Sequence, residues 1–229
     1  MVKIFADGAD INEMHKAARN PMVKGFTTNP TLCRKAGVRD YRAFAERVIH
    51  AFPNYPISFE VFSDDFTEME SQAWNIASWG ENVYVKIPVC NTKGLSSGPL
   101  IRRLSEASIK VNATAILCYK QVDEVLDALS DYPAIVSIFA GRIADTGRNP
   151  VGVINHALKQ RKFAAHEILW ASPRQALDVY TADSLGCDII TCTNDIIAKL
   201  ALEGKNLTEY SRETVQMFYD DAKAAGYSI

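Results

Sequence analysis

The sequence predicts an α/β fold: eight parallel β-α units closed into a (β/α)8 barrel, with one further helix at its end. Three observations carry this. Eight short runs rich in β-branched and aromatic residues start 23, 32, 25, 27, 25, 33 and 21 residues apart, a spacing that suits one strand and one helix per unit. The segments between them have helical periodicity. The first run leads into ADGADIN, with neither the G-x-G-x-x-G turn of a dinucleotide-binding open sheet nor a P-loop. Of the two closures open to eight units, the barrel is therefore preferred.

The elements follow in order. VKIFA (2–6) is the first strand, and GFTT (25–28) the second, ended by Asn29-Pro30. DYRAFAERVIHAF is a helix with Tyr41, Phe44, Ala45, Val48 and Phe52 on one face. ISFEVF (57–62) and NVYVKIPV (82–89) are the third and fourth strands. Ser96, Ser97 and Gly98 resemble a phosphate loop, but a helix start explains them as well, since Pro99 suits a first helical turn. IKVNATAI (109–116) is the fifth strand, followed by KQVDEVLDALS, whose Val122, Val125, Leu126 and Leu129 share a stripe. AIVSIFA (134–140), EILWA (167–171) and DIITC (188–192) complete the eight. His166, just before the seventh, reads as an exposed turn residue. An amphipathic helix over 208–225 carries Val215, Phe218, Tyr219 and Ala222. No linker or composition break interrupts the chain, so residues 1–229 are expected to form one domain.

Composition excludes several classes of function. Lys plus Arg is 25 and Asp plus Glu is 27, a formal charge of −2, so no clustered positive charge invites nucleic acid. No apolar run approaches a membrane span, and MVKIFADGAD turns polar too early for a secretory signal. The expectation is a cytoplasmic protein without nucleic-acid or membrane partners. Cys33, Cys90, Cys118, Cys187 and Cys192 are odd in number and include no C-x-x-C pair, so they read as reduced, mostly packed thiols. The four histidines have no zinc-ligand spacing. Neither metal nor cofactor is expected.

Strands of such a barrel are buried on both faces and should be continuously apolar. Polar interruptions are therefore informative. Lys86 sits inside Val83-Tyr84-Val85-Lys86-Ile87-Pro88-Val89, and Glu60 inside Ile57-Ser58-Phe59-Glu60-Val61-Phe62. A desolvated amine is a nucleophile toward carbonyls; a structural ion pair would occupy the same positions. Asp7 closes the first strand and Thr28 and Asn29 the second, while Asn112 and Thr114 lie in the fifth and Ser137 in the sixth. Arg142 follows the sixth strand, and Ser172 and Arg174 the seventh. All fall near the carboxyl-terminal barrel face, where active sites assemble. Two arginines and a serine are suited to a phosphate. The set points to imine chemistry on a phosphorylated carbonyl compound.

The segments ADGAD, GFTTNPTL, SFEVFS, VYVKIPV, VNATAI, SIFAGRIAD, ILWASPRQ and CDIITC, in this order, resemble the transaldolase family, in particular its short subfamily that also contains fructose-6-phosphate aldolases. The resemblance implies a barrel with a Schiff-base lysine on the fourth strand, here Lys86. It implies that Lys86 attacks C2 of a ketose phosphate, that Glu60 moves protons through a water shared with Thr114, and that Asp7 takes the C4 hydroxyl proton. Asn29, Asn112 and Ser137 match positions that hold the dihydroxyacetone hydroxyls, with Thr28 beside them. Arg142, Ser172 and Arg174 match the phosphate site. The subfamily's aldolases carry glutamine and tyrosine where this chain has Glu60 and Phe139, so transaldolase is favoured over an aldolase releasing dihydroxyacetone. A non-catalytic phosphosugar-binding barrel would not need Lys86 with Glu60 and Asp7, and a deoxyribose-phosphate aldolase would place its lysine on a later strand. Relatives imply sugar phosphates as partners and a homo-oligomer, up to a decamer of stacked five-membered rings, with the C-terminal helix reaching a neighbour. CNTKGLSSGPL departs from the common pattern by adding Lys93 near the mouth, where it either alters substrate preference or, the favoured reading, is a solvated loop residue.

Overall fold

A computed structural model describes residues 1–228. β1 (Lys3–Asp7) leads to α1 (Ile11–Ala18), and β2 (Val23–Thr27) to α2 (Pro30–Lys35) and α3 (Tyr41–Ala51). β3 (Ile57–Glu60) is followed by α4 (Phe66–Ala77), β4 (Val83–Pro88) by α5 (Gly98–Glu106) and β5 (Val111–Ile116) by α6 (Tyr119–Ala128). β6 (Ala134–Ile138) precedes α7 (Ala140–Asp145) and α8 (Val151–Gln160), and β7 (His166–Trp170) precedes α9 (Leu177–Ser184). β8 (Ile189–Cys192), α10 (Asn194–Lys199), a 3-10 turn and α11 (Leu207–Ala224) end the described chain.

The eight strands pair in sequence order, all parallel, and β8 returns to β1 to close the barrel. The fold is the expected (β/α)8 barrel, each strand starting within two residues of its predicted run. Inward side chains alternate along each strand, and Phe5, Ile135, Leu169, Ala171 and Ile189 form a buried cluster with Tyr84 and Phe139 against it. Two compact units are distinguished, Met1–Ile197 with the barrel and a second from Ala198 onward. In the second, α11 is capped by Asn206, whose side chain accepts from the Thr208 and Glu209 N–H groups. None of the described helices is long and apolar enough to cross a membrane.

Polar side chains begin the helices by accepting their first free N–H groups: Asp10 for α1, Asn29 for α2, Asp40 for α3 and Asp65 for α4. α3 buries Phe44, Ala45 and Val48 as its stripe predicts, and Pro99 stands in the first turn of α5. His166 corrects the sequence reading. It is fully buried as the first residue of β7, and its Nε2–H donates to the Ser130 carbonyl at 2.6 Å. Burial pushes its pKa down, so a neutral imidazole satisfies a carbonyl where a turn was expected. Cys33, Cys187 and Cys192 are buried, Cys90 is half-buried and Cys118 exposed, all as free thiols. Desolvation pushes Cys33 up to about 11 and Cys187 and Cys192 to about 12.

Candidate active site

The carboxyl ends of the strands open into a cavity of about 540 Å³. Ten of the residues singled out in the sequence line it: Asp7, Asn29, Glu60, Lys86, Thr114, Ser137, Phe139, Arg142, Ser172 and Arg174. Thr28 and Asn112 differ from expectation. Both are fully buried behind the wall, where their polar groups support neighbours rather than face the cavity.

Register explains the central pair. Glu60 on β3 is the cross-strand partner of Lys86 on β4, and partners on adjacent parallel strands project to the same side. The Lys86 Nζ lies 3.1 Å from the Glu60 carboxylate and donates to the Thr28 carbonyl at 2.9 Å. Lys86 is only 6% exposed. An ammonium has three donors; two acceptors leave one direction for a bound molecule.

Asp7 is held by Thr27, whose hydroxyl donates to Oδ1 at 2.8 Å and also meets the Thr191 hydroxyl. Burial pushes the Asp7 carboxyl above the ordinary carboxylate range. The Lys86 charge and the Thr27 hydrogen bond oppose this, and the Glu60 charge adds to it. A raised folded-state pKa is a contribution to stability that is complete below the unfolded value and lost as pH rises through the folded one. At neutral pH the Asp7 carboxylate is thus a destabilising charge. Asp7→Asn is expected to stabilise the protein at pH 7, read as a higher melting temperature, and to bring no gain in acid, where Asp7 is protonated in both states. Thermal denaturation of both proteins across pH checks this; a loss of stability at pH 7 would contradict the assigned direction.

Beneath the cavity, Ser137 donates to the Asn112 Oδ1 at 2.6 Å and the Asn112 amide donates to Ser58 Oγ at 3.0 Å. On β5 the pairing with β6 slips between Ala113 and Ile116, and Ala115 takes φ 63°, a left-handed conformation that non-glycine residues seldom adopt. Such a bulge redirects its neighbours. The adjacent Thr114 hydroxyl is buried without a hydrogen-bond partner among the described residues and lines the cavity, so it is available to a bound oxygen.

Arginines supply the positive charge. The Arg142 guanidinium lies 5.8 Å from the Phe139 ring centre and has no carboxylate partner among the described residues. Arg174 is forked onto Asp145, with Nε 3.0 Å from Oδ1 and Nη2 on Oδ2. Ser172 between them has φ 60°. Gly141 packs so closely on this turn that an added Cβ would lie 1.6 Å from the Ser172 carbonyl oxygen.

Sequence reasoning missed Thr27, Lys35, Thr191 and Thr193, which also line the cavity. Threonine is ordinary in strands, so composition does not mark it. Only the strand register marks Thr27, as the cross-strand partner of Asp7. Lys93 lies in an exposed turn, its N–H donating to Asn91 Oδ1.

Residues 4–229 match the family described as Transaldolase/Fructose-6-phosphate aldolase. A probable transaldolase of Dehalococcoides mccartyi is 34% identical over 201 residues, covering 87% of this chain and 90% of the relative. One from Clostridium botulinum is 30% identical over 223 residues, covering 96% and 98%. Among solved structures, 3-hexulose-6-phosphate synthase superposes with TM-score 0.61 at 13% identity, over 84% of this chain and 90% of that one. KGPDC from Streptococcus mutans gives 0.59 at 13%, over 90% and 92%; both show the barrel alone. With a family match over nearly its whole length and relatives at this identity, the chain belongs to the transaldolase/fructose-6-phosphate aldolase family.

Proposed function

We propose that the protein is a transaldolase that moves a dihydroxyacetone unit from fructose 6-phosphate or sedoheptulose 7-phosphate to an aldose phosphate through a Schiff base on Lys86. The observation that carries this reading is Lys86 itself: a buried amine between a carboxylate and a carbonyl, facing a cavity that also holds Asp7 and two arginines. Lys86 passes a proton to Glu60 and attacks C2. The resulting carbinolamine loses its C2 oxygen as water, Glu60 returning the proton through a water also held by Thr114. In the protonated imine, Asp7 takes the C4 hydroxyl proton while the C3–C4 bond breaks. Its electrons flow into the imine to give an enamine, and the aldose phosphate leaves, glyceraldehyde 3-phosphate from fructose 6-phosphate or erythrose 4-phosphate from sedoheptulose 7-phosphate. The raised pKa of Asp7 makes it a stronger base than an ordinary aspartate. Asn29 and Ser137 hold the dihydroxyacetone hydroxyls, with Asn112 and Thr28 behind them, and Arg142, Ser172 and Arg174 hold the phosphate.

The enamine then attacks the aldehyde carbon of a second aldose phosphate, and hydrolysis of the new imine frees the product. The second reading is an aldolase, in which water protonates and hydrolyses the enamine first. Phe139 favours transfer, because its ring lines the cavity and carries no hydroxyl to hold or donate a proton. The reading includes self-association and a cytoplasmic setting. Val215, Phe218 and Tyr219 of α11 are each more than 60% exposed, which supports the first, and five free cysteines support the second.

The test is release of glyceraldehyde 3-phosphate from fructose 6-phosphate with and without erythrose 4-phosphate. Sustained release only with the acceptor is the expected result. Equal release without it would make the protein an aldolase.

A further inference from the structure

The pairing of β2 with β3 stops early. It holds only Phe26 with Ile57 and Thr27 with Ser58, and its last bond runs from the Thr28 N–H to the Ser58 carbonyl at 3.2 Å. In a parallel ladder each residue donates to one neighbour and accepts from the residue two positions beyond it, so the next bond would join the Glu60 N–H to the Thr28 carbonyl. That bond is not made. The Glu60 N–H donates instead to the Tyr41 hydroxyl at 3.0 Å, and the Thr28 carbonyl receives the Lys86 ammonium.

We infer that Tyr41, the first residue of α3, is a positioning residue for the Lys86–Glu60 pair: its hydroxyl takes over one bond of the β2–β3 ladder and thereby frees the Thr28 carbonyl to hold the lysine. The inference rests on the Schiff-base reading above. Tyr41 is fixed for this task from both sides. Its helix is started by Asp40, which accepts from the Ala43 N–H at 2.9 Å. Its ring meets Phe59 at 6.0 Å, Phe62 at 4.6 Å and Trp79 at 5.9 Å, all edge-on. Burial pushes the phenol far above its usual pKa, and the Thr28 side chain lies against the same oxygen, so a neutral hydroxyl faces both strands.

Without that hydroxyl the Glu60 N–H is a half-buried donor with no protein partner, a state proteins avoid. The nearest remedy is the missing ladder bond. Closing it draws the end of β3 toward β2, moves the Glu60 carboxylate away from Lys86, and sets a second donor on the carbonyl that holds the ammonium. The ring and its packing survive in Tyr41→Phe, so the loss falls on geometry rather than on the core.

The experiment traps the imine by borohydride reduction in the presence of fructose 6-phosphate. It compares wild type, Tyr41→Phe and, as a control on packing, Phe44→Leu, whose ring also meets Phe59 but makes no bond to Glu60. The expected result is trapping and kcat slowed roughly tenfold to a hundredfold in Tyr41→Phe, with KM within about twofold, since no phosphate contact changes. Phe44→Leu loses thermal stability and traps at the wild-type rate. Wild-type trapping in Tyr41→Phe, or equal slowing in Phe44→Leu, would overturn the inference and leave the Schiff-base reading standing. A wild-type protein that is not trapped would remove that reading, and this inference with it.

Discussion

Lys86→Ala is expected to eliminate turnover, with a loss of about 10⁴-fold or more, and to form no borohydride adduct. The alanine has no amine to join C2, and Lys35, the other lysine among the described lining residues, is exposed and so lacks the desolvation of Lys86. Removing one member of a buried pair also strands the other, which costs about 3–5 kcal/mol. Glu60 is 17% exposed by its side chain, which places the expected loss at the low end. Lys86→Ala with Glu60→Gln removes the stranded charge, so it regains stability without regaining activity. Two measurements separate the roles: melting temperature for the pair and product release for the chemistry. Retained activity in Lys86→Ala would sink the mechanism.

Gly141→Ala has the next largest expected effect, on sugar-phosphate binding. Its Cβ would stand 1.6 Å from the oxygen and 2.8 Å from the carbon of the Ser172 carbonyl, and 3.2 Å from Arg174 Nε. The first two are backbone atoms, in a residue already held at φ 60°, so no side-chain rotation relieves the clash. The turn that carries Ser172 and Arg174 must move away from α7, which carries Arg142. The expected outcome is a rise in KM for fructose 6-phosphate of about a hundredfold, with a stability loss of roughly 3 kcal/mol or more. Steady-state kinetics and thermal melts check it; wild-type KM would speak against the proposed role of the Ser172–Arg174 turn in phosphate binding.

The strands were legible because barrel strands are buried on both faces and leave long apolar runs, in which Lys86 and Glu60 stand out as charges. Their cross-strand register was not legible, since it depends on how neighbouring strands align. Tyr41 reads correctly as part of the α3 stripe with Phe44 and Val48, but periodicity reports the ring and says nothing of where the hydroxyl ends. Thr27 and Thr191 were hidden by being ordinary strand residues. Asp145, which holds Arg174, lies 29 positions away, and no local pattern links them. His166 misled because a histidine before an apolar run resembles a turn, while its carbonyl partner Ser130 sits 36 positions back.

Barrel closure also sets how long one strand edge stays open while the chain is made. β1 pairs with β8 across 186 positions, Lys3 against Ile189. At roughly 5–20 residues per second, synthesis of the intervening chain takes about 10–40 s. Throughout that time the outer edge of β1 has no partner, a condition that favours pairing with other nascent chains. Lys3 is exposed on this strand, and a charged side chain on an open edge discourages such pairing until β8 arrives.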